Sequence, residues 1–235
     1  LDKMLKKKIK LGVIGGGVNS SIGKAHFSAL SMDGLFEITS GFFSRNKQIN
    51  KKTIDYLALA DSRVFSNFDE YLNSYEFNDA DAILILSPTH NHFEHLTKII
   101  NLKKTIICEK PSCANFKDFE KLKKKISRNN IKFFLTYNYL GYPIIRDIKR
   151  ILFEKKIGKI LKVELSMPQQ GLTTSKISNV KKWRLKDREI PTIQLDLGVH
   201  LLSILFFLFP KVKIFEVLGH FRKIKNLDLI HSVDA

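Results

Sequence analysis

Lys8-Ile9-Lys10-Leu11-Gly12-Val13-Ile14-Gly15-Gly16-Gly17 is the stretch on which the fold turns. Ile9, Leu11, Val13 and Ile14 form a short apolar run that stops on glycines, the pattern of a strand running into a tight turn. A helix reads from about Ile22 to Met32, so the turn lies between a strand and a helix N-terminus. That placement suits a pyrophosphate. Glycine lets the backbone approach the phosphates, and amide groups at the helix start meet their charge. The match to G-x-G-x-x-G is imperfect, because Ser20 holds the third position and the next glycine is Gly23. A plain tight turn is the competing reading, and the position after the first strand of an alternating chain favours the cradle.

The alternation continues downstream. A strand is expected over Phe36–Phe43, a lysine-rich helix over Ile49–Ala60, an extended piece at Arg63–Phe65 and a helix near Asp69–Tyr75. Ala82–Leu86 and Thr105–Cys108 are continuous apolar runs, as strands covered on both faces of a parallel sheet are, with a helix at His92–Leu102 between them. Asn115 is placed to cap a helix carrying Phe116, Phe119, Leu122 and Ile126, and Ile131–Thr136 reads as a further strand. This order predicts an α/β fold, a doubly wound parallel sheet. The character then changes. A helix with Ile144, Ile145, Ile148, Ile151 and Leu152 on one stripe precedes Ile160–Met167, whose apolar and polar residues alternate as in a strand with one wet face. A second, partly antiparallel domain is therefore expected, dividing the chain into residues 1–138 and 139–235, with Gln169–Ile190 a long polar loop.

Composition bounds the function classes. With 235 residues, 44% of them hydrophobic and 18 Phe, the chain can bury one core and part of another. The most apolar stretch, Leu201–Phe209, stops at Pro210, too short for a membrane span. Leu1–Lys10 has basic residues but no apolar core or cleavage site, so no secretory signal is expected. Two cysteines, Cys108 and Cys113, suit a reducing compartment and a cytoplasmic location. The net charge of +17 permits nucleic-acid binding, but the lysines are spread over solvated helix faces, as at Lys121, Lys123, Lys124 and Lys125 between Phe119 and Ile126. No nucleic-acid or membrane partner is expected, and the positive field favours anionic small molecules.

Four further stations carry chemistry. The second strand ends in Gly41-Phe42-Phe43-Ser44-Arg45-Asn46, without the acid that grips the adenosine ribose of NAD. Ser44 and Arg45 suit the 2′-phosphate of NADP, which is slightly favoured over NAD, while a merely solvated Arg45 is the plain alternative. Ser87-Pro88-Thr89-His90-Asn91-His92 and Glu109-Lys110-Pro111 lie at later strand ends, expected along one crevice with the glycines. Lys110 is the natural cation beside a reacting hydroxyl or carbonyl, unless the pair with Glu109 is only a surface pair. In Asp196-Leu197-Gly198-Val199-His200 a helix would place acid and imidazole on one face, so that the carboxylate orients an acid/base histidine. A hydrogen-bonded core histidine is the alternative. His90, His92 and His95 invite a metal reading, but their spacing and the lack of companion ligands argue against one.

Together these stations resemble the Gfo/Idh/MocA oxidoreductases: the glycine turn with Ile22-Gly23-Lys24-Ala25-His26, Ser87-Pro88 with His92, Glu109-Lys110-Pro111, Ile157-Gly158-Lys159-Ile160, Trp183-Arg184, and Asp196 to His200. The resemblance runs from about Lys8 to Phe221. It implies an N-terminal Rossmann domain followed by an α/β domain with an open, mixed, largely antiparallel sheet, incomplete here, through which copies associate. It implies hydride exchange between NAD(P) and a carbon of a sugar, inositol or nucleotide-linked sugar. On its positions, Gly15, Gly17, Asn19, Ser20, Ile22, Ser44, Arg45, Ser87, Pro88, His92, Glu109 and Lys110 contact cofactor. Lys110, Asp196 and His200 act in catalysis, and Asn138, Tyr139, Trp183, Arg184 and His200 line the substrate pocket. The glycine loop carries about three extra residues relative to the compact fingerprint, and Glu189-Ile190-Pro191-Thr192-Ile193-Gln194 replaces the family's glycine-rich run before Asp196. A non-catalytic nucleotide-binding module or inactive shortened homologue is the alternative function.

Overall fold

Five strands pair in parallel in the order β2-β1-β3-β4-β5, in a computed structural model that describes residues 7–169, 186–223 and 230–234. They are β1 (Ile9–Gly15), β2 (Phe36–Phe42), β3 (Ala82–Leu86), β4 (Thr105–Glu109) and β5 (Phe133–Thr136). Parallel neighbours need crossovers, supplied by α1 (Ser21–Ser31) after β1, α2 (Lys47–Leu57), α3 (Phe68–Leu72) and α4 (Tyr75–Asp79) after β2, α5 (Thr89–Ile99) after β3, and α6 (Phe116–Asn129) after β4. Val64 makes a lone parallel bridge to Gly41, so the expected piece at Arg63–Phe65 lies outside β2 as a single-residue edge.

Successive residues of the inner strands enter opposite cores. Ile14, Ile83, Ile85 and Ile106 pack in one buried cluster, whereas Val13, Leu84 and Leu86 pack in the other, with Ile107 against it. Both faces are thus dry, which explains why β3 reads as an unbroken apolar run. Asn115 caps α6 by accepting from the Asp118 amide, and Asn46 caps α2 by accepting from Gln48 and Ile49. The expected helix at Asp69–Tyr75 is two, parted at Asn73 and Ser74, because the Ser74 side chain accepts from the Phe77 amide and caps a new start at Tyr75. Helix α5 begins at Thr89, three residues before the expected His92, since Pro88 is compatible with a helix entry.

The chain divides into two compact units, Leu1–Thr136 and Tyr137–Ala235. In the second, a 3-10 turn (Asn138–Gly141) leads to α7 (Pro143–Phe153). A π-helical turn (Gln194–Gly198) leads to α8 (Val199–Leu208), and β6 (His220–Lys223) pairs antiparallel with β7 (Ile230–Asp234). The Lys149 ammonium sits 3.7 Å from the Phe207 ring centroid, fastening α7 to α8. Ile160–Met167 is not a strand. Alternation specifies two faces but not a neighbour, and among the described residues nothing pairs with this stretch, whose Leu161 is 88% exposed. Trp183 and Arg184 lie outside the described residues.

Candidate functional site

Strand order reverses between β1 and β3, and open α/β sheets bind ligands beyond the carboxyl ends of strands at such a point. Gly15 stands opposite Leu86 in the sheet register, so the glycine turn abuts Ser87 directly. A Cβ on Gly15, which has φ +82°, would lie 2.5 Å from the Ser87 nitrogen. Gly23 sits even closer to its neighbour: a Cβ there would lie 1.9 Å from the Gly16 oxygen. Gly23 therefore does the close helix packing that the third fingerprint glycine performs, although the sequence spacing pointed to Ser20. Ser20 instead caps α1, accepting from the Gly23 amide at 3.2 Å. The Val18 amide bonds Thr53 Oγ1 at 3.2 Å and the Ser20 amide bonds the Gly17 carbonyl at 2.7 Å. Ser21 and Ile22 open α1, where amides have no intrahelical acceptor. Asn19 and Ile22 are exposed on this turn.

At the end of β2, Ser44 Oγ accepts from the Asn46 amide at 3.1 Å and the Ser44 carbonyl accepts from Asn50 Nδ2 at 2.9 Å. The turn is held while Arg45 is exposed. The Arg45 charge reaches His95, among the causes that keep His95 near pKa 4, of which burial is the largest.

Two histidines tie the strand ends together. His92 is buried, with Nε2 2.7 Å from the Ser87 carbonyl and Nδ1 2.8 Å from the Pro111 carbonyl. His95 Nδ1 lies 3.0 Å from Ser87 Oγ. Both His92 nitrogens lie within hydrogen-bond distance of backbone carbonyls, so its ring joins the Ser87-Pro88 turn to the Lys110-Pro111 turn. Two carbonyls ask for two N–H groups, carried only by the protonated ring, yet burial lowers the His92 pKa against the pull of those carbonyls.

Glu109 is likewise occupied. Its Oε1 is 2.7 Å from His26 Nε2 on α1 and accepts from Thr136 Oγ1 on β5 at 2.7 Å, and its Oε2 accepts from the Lys110 amide at 3.2 Å. Burial works against the charge, but the His26 and Thr136 bonds prevail and hold the carboxyl below its ordinary range. Glu109 shapes the turn on which Lys110 stands.

In the second unit the His200 ring is buried, edge-on to Tyr139 with centroids 4.7 Å apart and an interplanar angle of 78°. Tyr137 lies 6.3 Å from the same ring, and burial raises its phenol pKa. Asn138 is exposed. Asp196 belongs to the π-helical turn and His200 to the first turn of α8, so the two span a junction of helix types instead of one regular α-helix. The structure thus brings together Tyr139 and His200 in one unit, and the glycine turn, Ser87, His92, Glu109 and Lys110 in the other.

The model of the Gfo/Idh/MocA family, an oxidoreductase family with an NAD-binding Rossmann fold, matches residues 9–137, more than half of the chain. The chain belongs to this family. Glucose-6-phosphate 3-dehydrogenase of Bacillus subtilis (strain 168) is 24% identical over 202 residues, covering 85% of this chain and 53% of that protein. The scyllo-inositol 2-dehydrogenase (NADP(+)) of the same organism is 21% identical over 225 residues, covering 95% and 58%. The chain thus spans little more than half the length of these curated relatives. A crystal structure of an inositol dehydrogenase homolog from Azotobacter vinelandii, complexed with NADH and myo-inositol, matches with a TM-score of 0.78. At 22% identity, with 88% of this chain and 54% of that one covered, the likeness is one of fold.

In this member of the Gfo/Idh/MocA family, spacing alone points to neither Thr53 nor Thr136 beside the first unit's candidate residues, nor to Tyr137 beside His200 in the second. His26 was visible only as part of the resemblance. Thr53 and Thr136 carry no motif, since each is reached through space, 35 and 27 residues from its partner.

Proposed function

We propose that the chain is the dinucleotide-binding portion, with part of the substrate portion, of an NAD(P)-dependent dehydrogenase or reductase acting on a carbohydrate-like alcohol. The observation that supports it is the glycine turn: three of its positions, Gly15, Gly16 and Gly23, would put a Cβ within 2.7 Å of a neighbour, so the backbone is bare where strand, helix and Ser87 meet. Such a turn at the switch point fits a diphosphate, held by the turn from Gly15 to Asn19 and the first amides of α1 at Ser21 and Ile22. Ser44 and Arg45 receive the adenosine ribose, and an exposed guanidinium in place of an acid favours NADP. Ser87 and Pro88 line the middle of the crevice. The relative named as NADP(+)-dependent is in keeping with this preference.

Bound NAD(P) supplies the hydride acceptor or donor. The remaining work falls to the chain. Lys110 donates a hydrogen bond to the substrate oxygen on the first unit, polarising it. Within the second unit, the His200 imidazole is the acid/base candidate and Asp196 the acid that orients it. Tyr139 and Asn138 line the substrate side. The substrate is a sugar, inositol or nucleotide-linked sugar, in keeping with the named relatives and neighbour. The second unit contributes part of an open, mixed, largely antiparallel sheet through which copies associate; the exposed Phe153, Leu161 and Phe215 favour such burial. Two buried, unpaired cysteines suit a reducing cytoplasm, and no helix of the described residues is long and apolar enough to cross a membrane.

The test is titration of NADPH and NADH followed by cofactor fluorescence, then hydride transfer over panels of sugars, inositols and sugar nucleotides. The expected result is tighter NADPH binding, with Arg45→Ala weakening NADPH about tenfold and NADH little, as expected of an exposed phosphate contact worth about 1.4 kcal/mol. Lys110→Ala and His200→Ala should abolish turnover and spare binding. A folded chain that binds neither dinucleotide sinks this reading.

A further inference from the structure

We propose that His26 and Thr136 are positioning residues for the Glu109-Lys110 turn, holding the Glu109 carboxylate in one orientation between α1 and β5. The carboxylate receives donors from three elements. Thr136 Oγ1 and His26 Nε2 both meet Oε1 at 2.7 Å, and the Lys110 amide meets Oε2 at 3.2 Å. The His26 and Glu109 side chains are only 19% and 14% exposed, so the pair is shielded from water and from salt. A carboxylate bonded on both oxygens has a fixed plane. Through Oε2 that plane also fixes the backbone at Lys110.

The contact with His26 crosses 83 residues of sequence and joins the helix of the glycine turn to the strand end that presents Lys110. This inference rests on the dehydrogenase reading, in which α1 carries the cofactor diphosphate and Lys110 meets the substrate. In that setting the network sets the lysine relative to the cofactor-holding helix. Glu109 is thereby a support for the Lys110 turn. Besides His26, the charges of His92 and Cys108 interact with Glu109. His92 is itself anchored to Ser87 and Pro111, so the turn is fastened on both sides of Lys110.

The test uses the whole chain with ¹³C-labelled glutamate side chains and ¹⁵N-labelled backbone, without cofactor. In the wild type Glu109 titrates below an ordinary glutamate. His26→Ala and Thr136→Val should each raise that titration and shift the Lys110 amide resonance, and His26→Gln, which keeps an N–H donor, should restore much of both. With cofactor and substrate, His26→Ala is expected to lower kcat tenfold or more while the dinucleotide Kd changes less than threefold, with His26→Gln in between. An unmoved Glu109 titration and Lys110 amide in both His26→Ala and Thr136→Val overturn the proposal, as does an unchanged kcat in His26→Ala. A wild-type chain that binds no dinucleotide overturns the functional reading instead, and the nuclear resonance arm still decides whether the network positions Lys110. If His26→Ala fails to fold, Thr136→Val and His26→Gln decide the same question by the same two resonances.

Discussion

Single residues show where local chemistry is tightest. Gly23→Ala forces a methyl onto the Gly16 oxygen, with backbone on both sides and no flexible side chain to yield, so α1 must move off the turn. The expected cost is about 2 kcal/mol or more, read as a fall in unfolding midpoint, together with loss of dinucleotide binding. Ser20→Ala, although it sits at the fingerprint position, removes only a cap and should cost about 1 kcal/mol. The same scale carries a pH prediction. His95 and His92 both have lowered folded-state pKa values, His95 to about 4, chiefly through burial. Well above pH 6.5 both are neutral whether folded or not, and their contribution is constant. As pH falls from about 6.5 to 4, the unfolded chain takes up protons that the folded chain refuses, and stability declines. His95→Gln should flatten the pH dependence of the unfolding midpoint across that window; an unaltered slope would show that His95 is not the group responsible.

At the scale of elements, periodicity was informative where a segment is governed by its own pattern. The apolar runs of β1, β3 and β4 and the capped stripe of α6 need only to be dry on known faces, and a sequence states that directly. Asn115→Ala should destabilise α6 by about 1 kcal/mol, measured by chemical unfolding, with dinucleotide affinity retained because the helix lies away from the glycine turn in sequence and supplies none of its groups. Elements that depend on a distant partner were read less well. The stretch Ile160–Met167 has strand alternation without a paired neighbour among the described residues, and Asp69–Tyr75 splits because Ser74 can cap a second start. The π-helical turn at Gln194–Gly198 shows no sequence signal. A Cβ on Gly198 would meet Gln194 Oε1 at 1.9 Å, a crowding visible only after folding.

For the whole molecule, the formal charge of +17 raises the local concentration of anionic ligands over long range. Dinucleotide affinity should therefore fall severalfold as sodium chloride rises from about 50 to 500 mM, since the screening length shrinks from roughly 14 to 4 Å. A salt-independent Kd would assign binding to short-range contacts alone. What the amino-acid order determined by itself was the alternation of strands and helices, the glycine turn at the first crossover and the polar stations at later strand ends, because each is a local pattern of apolar period, backbone freedom and capping. Tertiary structure alone decided that Gly23 and not Ser20 packs against the turn, that His92 meets backbone carbonyls while Glu109 joins His26, Thr136 and the Lys110 amide, and that Thr53, Thr136 and Tyr137 belong beside candidate residues of their own units. Those assignments depend on distances between segments far apart in the chain, and a hydrogen bond of 2.7 Å across 83 residues leaves no periodic trace in sequence.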